Sequence, residues 1–239
     1  MPDARDRVLK ITRKAAALPA SVDLRSGCPP VYDQGDLGSC TANAIAAAVE
    51  FDQRRQKLSE FTPSRLFIYY NERTIEGTIA SDAGAQLRNG IKTVAGDGAC
   101  SEAMWPYVEE KFADRPTAPC YKAARTHPAV EYSRVAQGLG DLKACLAAGF
   151  PFVFGFTVYE SFESDSVANS GIAEMPDDSE TALGGHAVMA AGYDDASQRF
   201  LIRNSWGTDW GMGGYFTLPY SYVTDENLAD DFWTIRVVK

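Results

Sequence analysis

Histidine is the scarcest of the chemically versatile residues in this 239-residue chain, which holds only His127 and His186. The five cysteines, Cys28, Cys40, Cys100, Cys120 and Cys145, form no C-x-x-C pair. That spacing, with only two histidines to add nitrogen ligands, argues against a structural zinc site. Long apolar runs are also absent. None approaches the ~20 residues of a membrane-crossing helix, and Met1 to Arg7 leads into no apolar signal segment. The chain as written reads as having no membrane partner and as cytoplasmic by default, with export by another route left open. Basic side chains are outnumbered, 23 Lys and Arg against 32 Asp and Glu. The resulting net charge of -9 argues against a nucleic-acid partner. No internal repeat or low-complexity tract breaks the pattern.

With 45% hydrophobic and 23% charged residues, the chain can bury a substantial core without covalent staples, as one large domain or as two lobes sharing a cleft. Residues 1–20 carry five basic side chains against two acidic ones, a net +3 against the whole-chain -9, which leaves -12 for the rest. A basic leader on an acidic body has a reason to lie across it and restrain it. Leu18 to Arg25 reads as extended, because Pro19 excludes helix. The alanine-rich run from Thr41 predicts a helix to about Leu58, Thr62-Pro63-Ser64 a second helix start, and Ala85 to Val94 a third helix. Past about residue 115 the texture changes. Val130–Val135, Phe150–Val158, His186–Gly192, Arg199–Arg203, Gly214–Leu218 and Trp233–Val238 read as strands, with a short helix over Leu139–Ala148. Glu160 to Ala182, rich in Ser, Asp and Glu, reads as a long loop. Helices first and strands later point to an α+β protein with a helical and a β-rich lobe.

Within this frame, Asp33 to Ala44 delivers a cysteine from a glycine-punctuated loop to a helix start. There, unpaired backbone N–H groups and the helix dipole favour a thiolate at Cys40. A cysteine on its own is more often a small core residue. The odds change because His186 follows two glycines at the start of a buried strand, and Asn204 stands eighteen residues further on. The Asn204 amide can accept the proton on one imidazole nitrogen and fix the ring. Trp206 can shield that bond from water. His127, before Pro128 in a polar segment, has no comparable setting.

The segment Gln34 to Cys40, the His186-Ala187-Val188 strand, and Asn204-Ser205-Trp206-Gly207 with Trp210-Gly211 and Gly214-Tyr215 resemble the papain-like cysteine peptidases. Ser21 to Arg25 is similar to that family's mature N-terminus and Trp105-Pro106-Tyr107 to its middle. Cys40 to His186 is 146 residues and Cys40 to Asn204 is 164, the order and scale described for that family. The resemblance covers about residues 19–239, least clearly over 110–130 and 158–182. It implies a two-lobed fold, with a mainly helical lobe over about 25–115 and a barrel-like β-rich lobe over about 125–235. The active-site cleft would lie between the lobes, preceded by a short leader, residues 1–18. It further implies a monomeric endopeptidase acting on peptides or proteins, a chemistry that needs no metal or organic cofactor. Cys40 would be the nucleophile, paired with a protonated His186; Asn204 would orient His186, and Gln34 would donate to the oxyanion. Gly84 would pair with an extended substrate, Gly155, Gly184 and Gly185 would line the second specificity pocket, and Trp206 would flank the site. An exopeptidase or acyl transferase on the same scaffold, or a silent binding module, are the alternatives. Two departures stand out: Leu37 replaces a disulfide cysteine, and Thr41 replaces the aromatic after the nucleophile. Both suggest a divergent, bacterial branch. Cys28, Cys100, Cys120 and Cys145 allow three disulfide pairings, or none in a reducing compartment. The acidic run Glu174, Asp177, Asp178 and Glu180 suggests basic substrates.

Overall fold

The alanine-rich run becomes α1 (Cys40–Arg55) in the computed structural model, which describes residues 7–9, 18–126 and 130–237. His127, residues 1–6 and residues 10–17 of the leader lie outside the described residues. The chain divides into two compact units: a helical unit of residues 27–29, 34–132 and 235–239, and a sheet unit of residues 1–26, 30–33 and 133–234.

In the helical unit, every residue of α1 from Thr41 to Gln53 is buried. Small alanines on all its faces let α2 (Arg65–Glu76) and α3 (Leu87–Asp97) pack against it. α2 starts where Ser64 Oγ accepts from Phe67 N at 3.1 Å and ends at Gly77, whose φ of 74° suits glycine. The buried Asp52 at the end of α1 accepts from Val237 N at 2.7 Å, a bond within the helical unit. A fourth helix, α4 (Ala118–Ala124), has Pro119 in its first turn. The sequence pattern did not predict it, because seven residues hold too few turns for a periodicity to appear.

Seven strands are described: β1 (Ser21–Asp23), β2 (Val130–Arg134), β3 (Phe152–Tyr159), β4 (Ala182–Asp194), β5 (Arg199–Arg203), β6 (Tyr215–Pro219) and β7 (Ala229–Val237). Their order is β2-β7-β3-β4-β5-β6, with β1 paired to β4. The pairings from β7 through β6, and that of β1, are antiparallel. Among the described residues this path is open, with no pairing that closes it on itself. The end strands are completed by short segments instead: Val8 bridges Arg134 of β2, and Ile172 bridges Thr217 of β6. Those segments satisfy edge groups that closure would otherwise have paired. Phe152, Phe154 and Phe156 of β3 point into a core with Phe200, Phe216 and Phe232, where Phe154 and Phe232 stack at 5.2 Å. α5 (Leu139–Ala147) supplies Leu142, Cys145 and Leu146 to the same core.

The stretch read as a long loop is more ordered than its composition suggested. A 3-10 turn at Glu160–Glu163 leads to α6 (Asp165–Ser170), capped by Ser164 and ended by Gly171 at φ 68°. Phe162 and Val167 are buried, so two apolar anchors hold a polar surface segment in place. α7 (Tyr220–Thr224), also unpredicted, follows β6 directly. β4 begins four residues before His186, because the side-chain-free Gly184 and Gly185 leave no pattern to read.

Candidate active site

In the helical unit, the loop into Cys40 is held residue by residue. Gly35 sits at φ 58°, where glycine is favoured, and a β-carbon there would lie 1.9 Å from Glu109 Oε1 and displace that carboxylate. The same carboxylate accepts from Asp36 N at 3.1 Å. Gly38 N donates to both oxygens of Asp82, at 3.1 and 2.9 Å. Tyr107 Oη donates to Gln34 O at 2.7 Å and lies 2.6 Å from Ser39 Oγ. Asn43 Nδ2 donates to Ser39 O at 2.9 Å, and Arg65 Nη1 donates to Asn43 Oδ1 at 3.0 Å. The Arg65 guanidinium also covers the Tyr107 ring, 4.0 Å from its centroid. Cys40, half-buried, is therefore the first residue of a helix whose approach is fixed by polar contacts that run from the exposed Asp36 and the half-buried Gly38 to the buried Asn43. Gln34 is buried, and its amide nitrogen donates to Leu37 O at 2.8 Å. Gly84, at φ 69°, has its N–H on Tyr69 Oη at 3.3 Å, and Tyr69 in turn donates to Asp82. Asp82 thus links the Cys40 loop to the Gly84 turn.

Directly behind Cys40, Thr41 Oγ1 donates to Glu72 Oε1 at 2.6 Å. Glu72 is 0% exposed, and its Oε2 has no hydrogen-bond partner among the described residues. Burial pushes its pKa up to about 8, with Thr41 pulling the other way and Glu76 adding a little. The sequence reading missed Glu72. A polar Asn71-Glu72-Arg73 trio in an apolar helix looks like a solvated stripe, yet all three are buried.

In the sheet unit, His186 on β4 pairs with Phe156 on β3. Asn204 follows the end of β5, anchored by its N–H on Gly214 O at 2.9 Å. His186 Nε2 and Asn204 Oδ1 are 2.8 Å apart, and Ser205 N donates to the same oxygen at 2.9 Å. An oxygen already accepting a backbone N–H serves as acceptor, so the imidazole proton sits on Nε2 and Nδ1 is the basic nitrogen. Trp206 stacks on the ring at 4.9 Å, and Phe156 meets it edge-on at 5.7 Å. Trp210 and Phe162 support Trp206 at 5.1 and 5.7 Å. Burial drives the His186 pKa down to about 4, while the Asn204 bond opposes this. In this environment the ring is neutral at pH 7. The protonated His186 implied by the resemblance therefore needs an opposite charge to hold it.

The three specificity glycines are not equivalent. Gly155 pairs with Ala187 and Thr157 with Gly185, so Gly155 and Gly185 share one face of the sheet. Gly184 has the opposite parity, that of His186. Gly184 and Gly185 are open, with nothing within 4 Å of a β-carbon built on either. A β-carbon on Gly155 would lie 3.2 Å from Asp230 Oδ1, on the neighbouring β7. Asp230 was not singled out from sequence, where Asp230-Asp231 looks like an ordinary surface doublet. In the acidic run, Glu174 is held by Arg199 at 3.0 Å, and Asp177 and Glu180 are engaged by nearby backbone N–H groups. All five cysteines are thiols, with no disulfide formed. Burial, with the Cys120 thiol alongside, pushes the Cys100 pKa up to about 12.

The family model for papain family cysteine protease matches residues 18–231. The chain belongs to the papain family and is a cysteine-type peptidase. Among solved structures it is similar to xylellain, a cysteine protease from Xylella fastidiosa, at 47% identity and a TM-score of 0.93. That match covers 100% of this chain and 94% of the other. It is also 48% identical over 215 residues to an uncharacterised peptidase C1-like protein of Acanthamoeba polyphaga mimivirus, covering 86% of this chain and 69% of that one. A cathepsin B-like protein of Giardia intestinalis is 32% identical over 238 residues, 90% of this chain and 74% of the relative. A viral and a bacterial protein stand at nearly equal identity, so the bacterial branch suggested from sequence is supported only in part. No described helix is long and apolar enough to cross a membrane.

Proposed function

We propose that this cysteine peptidase is an endopeptidase that works through an acyl-enzyme on Cys40. The Cys40 thiolate, favoured at the start of α1, attacks the scissile carbonyl carbon. Gln34 and the Cys40 N–H donate to the oxyanion that forms. His186 Nδ1 carries the proton to the leaving amine, then takes one from the water that releases the acyl group. Asn204 keeps Nε2 protonated and Nδ1 available. The observation that supports this reading best is the double acceptance at Asn204 Oδ1, from His186 at 2.8 Å and from Ser205 at 2.9 Å. Only one tautomer satisfies it. The low pKa of His186 is consistent with a ring that gains its proton as the thiolate forms. Gly84 would offer backbone groups to an extended peptide. Residues 1–18 would act as a restraining leader.

An epoxysuccinyl thiol-protease inhibitor should add one inhibitor mass to the wild-type protein, on the Cys40 peptide, and none to Cys40→Ala. Equal labelling of both proteins would refute the assignment. Internal cleavage of peptides blocked at both ends should follow. Release of terminal residues alone, or transfer to added amines, would instead favour an exopeptidase or an acyl transferase.

A further inference from the structure

We propose that Glu72 is a positioning residue for the Cys40 nucleophile, holding Thr41 from behind the first turn of α1 as an uncharged carboxylic acid. This rests on the assignment of Cys40 as nucleophile. The geometry is a three-helix fit. Glu72 rises from α2, its Oε1 receives the Thr41 hydroxyl at 2.6 Å, and its Oε2 faces α3 at Gly90. A β-carbon at Gly90 would lie 2.3 Å from Oε2 and 2.5 Å from Ile45 Cδ1. The carboxyl group is thus wedged between α1 and α3 at the one point where a glycine admits it. Thr41 is the residue after the nucleophile, so its hydroxyl bond bears on the φ and ψ that aim Cys40.

The charge state follows from what faces the group. From α1 come the Thr41 hydroxyl and the Ile45 methyl, with the Cys40 thiol the titratable group of that turn. From α3 comes Gly90, which has no side chain. On α2 itself, Glu76 opposes ionisation and Arg73 favours it, both less than burial does. The Arg73 guanidinium is engaged elsewhere, by the carbonyls of Tyr69, Ile79, Ser81 and Phe112. No cation makes a hydrogen bond to Glu72 among the described residues. A carboxylate so placed would oppose the half-charge that the α1 terminus offers a thiolate. A neutral acid holds Thr41 without that opposition.

The test compares Glu72→Gln, Glu72→Ala and Thr41→Val with wild type. Iodoacetamide alkylation of Cys40 is followed from pH 5 to 9.5 by peptide mapping, alongside kcat and KM on a blocked peptide. Glu72→Ala and Thr41→Val should slow Cys40 alkylation and lower kcat on the order of tenfold, with KM little changed. Thr41→Val is nearly isosteric and carries the test should Glu72→Ala not fold. Glu72→Gln, shaped like the neutral acid, should restore the wild-type rate at pH 6.5 and exceed it at pH 9, where wild type has ionised. Wild-type rates in both Glu72→Ala and Thr41→Val would overturn the proposal. So would a Glu72→Gln protein as slow as Glu72→Ala at pH 6.5, or one whose pH profile matches wild type. A wild-type Cys40 that reacts only as an ordinary thiol of pKa about 8.5 would remove the nucleophile assignment itself, and the proposal with it.

Discussion

At the scale of single residues, the residues proposed for catalysis and the neighbours that hold them were legible to different degrees. Cys40, His186, Asn204 and Gln34 stood out in sequence because short motifs with glycines and tryptophans surround them. Their neighbours did not stand out. Asp82, Tyr107, Glu109, Glu72 and Asp230 take their meaning from partners 30 to 75 positions away, and no local pattern carries such pairings. Asp230 shows what this hides. Its carboxylate, on an exposed residue, lies beside the backbone of Gly155, on the face shared with Gly185. If these glycines line a substrate pocket, as the family resemblance implies, it would be roomy, and an acid beside it would favour a cationic side chain. Asp230→Asn should therefore lower kcat/KM for peptides with Arg or Lys at the second position before the scissile bond by about fivefold, the scale of an exposed ion pair. Peptides with Leu or Phe there should be unaffected. Equal losses on both peptide sets would argue that Asp230 supports the sheet and does not select substrates.

At the scale of elements, long periodic segments were legible and short ones were not. α1, α2 and β3 carry enough apolar residues in phase to announce themselves. α4, α6 and α7 have five to seven residues each, less than two turns, and their type is set by packing after the chain has turned. Glycine misleads in both directions. Gly184 and Gly185 made β4 look short at its start, and Gly192, read as the strand's last residue, lies within it. Gly192 is needed because β1 crosses there: a β-carbon would sit 2.3 Å from Val22 O, which is backbone and cannot swing aside. Gly192→Ala should cost about 1–3 kcal/mol by urea denaturation. Gly184→Ala, with open space around it, should leave the urea midpoint nearly unchanged.

For the molecule as a whole, two buried groups set opposing pH trends. His186 has its pKa lowered from 6.5 to about 4, so the unfolded chain binds the proton first, and stability falls as pH drops from 6.5 through 4. Glu72 has its pKa raised from 4.5 to about 8, so the folded chain keeps its proton longer, and stability falls as pH rises from 4.5 through 8. Between about pH 4.5 and 6.5 the two slopes oppose. Above 6.5 only the Glu72 slope remains, worth about 2 kcal/mol by pH 8. The urea midpoint should accordingly be level across mildly acidic pH and decline toward pH 8. Glu72→Gln should remove that decline. A midpoint that rises from pH 6.5 to 8 would show that Glu72 is already ionised in the folded protein.

The fit of Thr41, Glu72 and Gly90 also has an evolutionary reading. Each position constrains the other two: a β-carbon at 90 leaves no room for the acid at 72, and a bulky side chain at 41 claims the space of the same carboxyl group. A lineage cannot drift at one of these sites alone without passing through a clash or an orphaned buried acid. Across relatives, positions 41, 72 and 90 should therefore change together or not at all, as a heritable block.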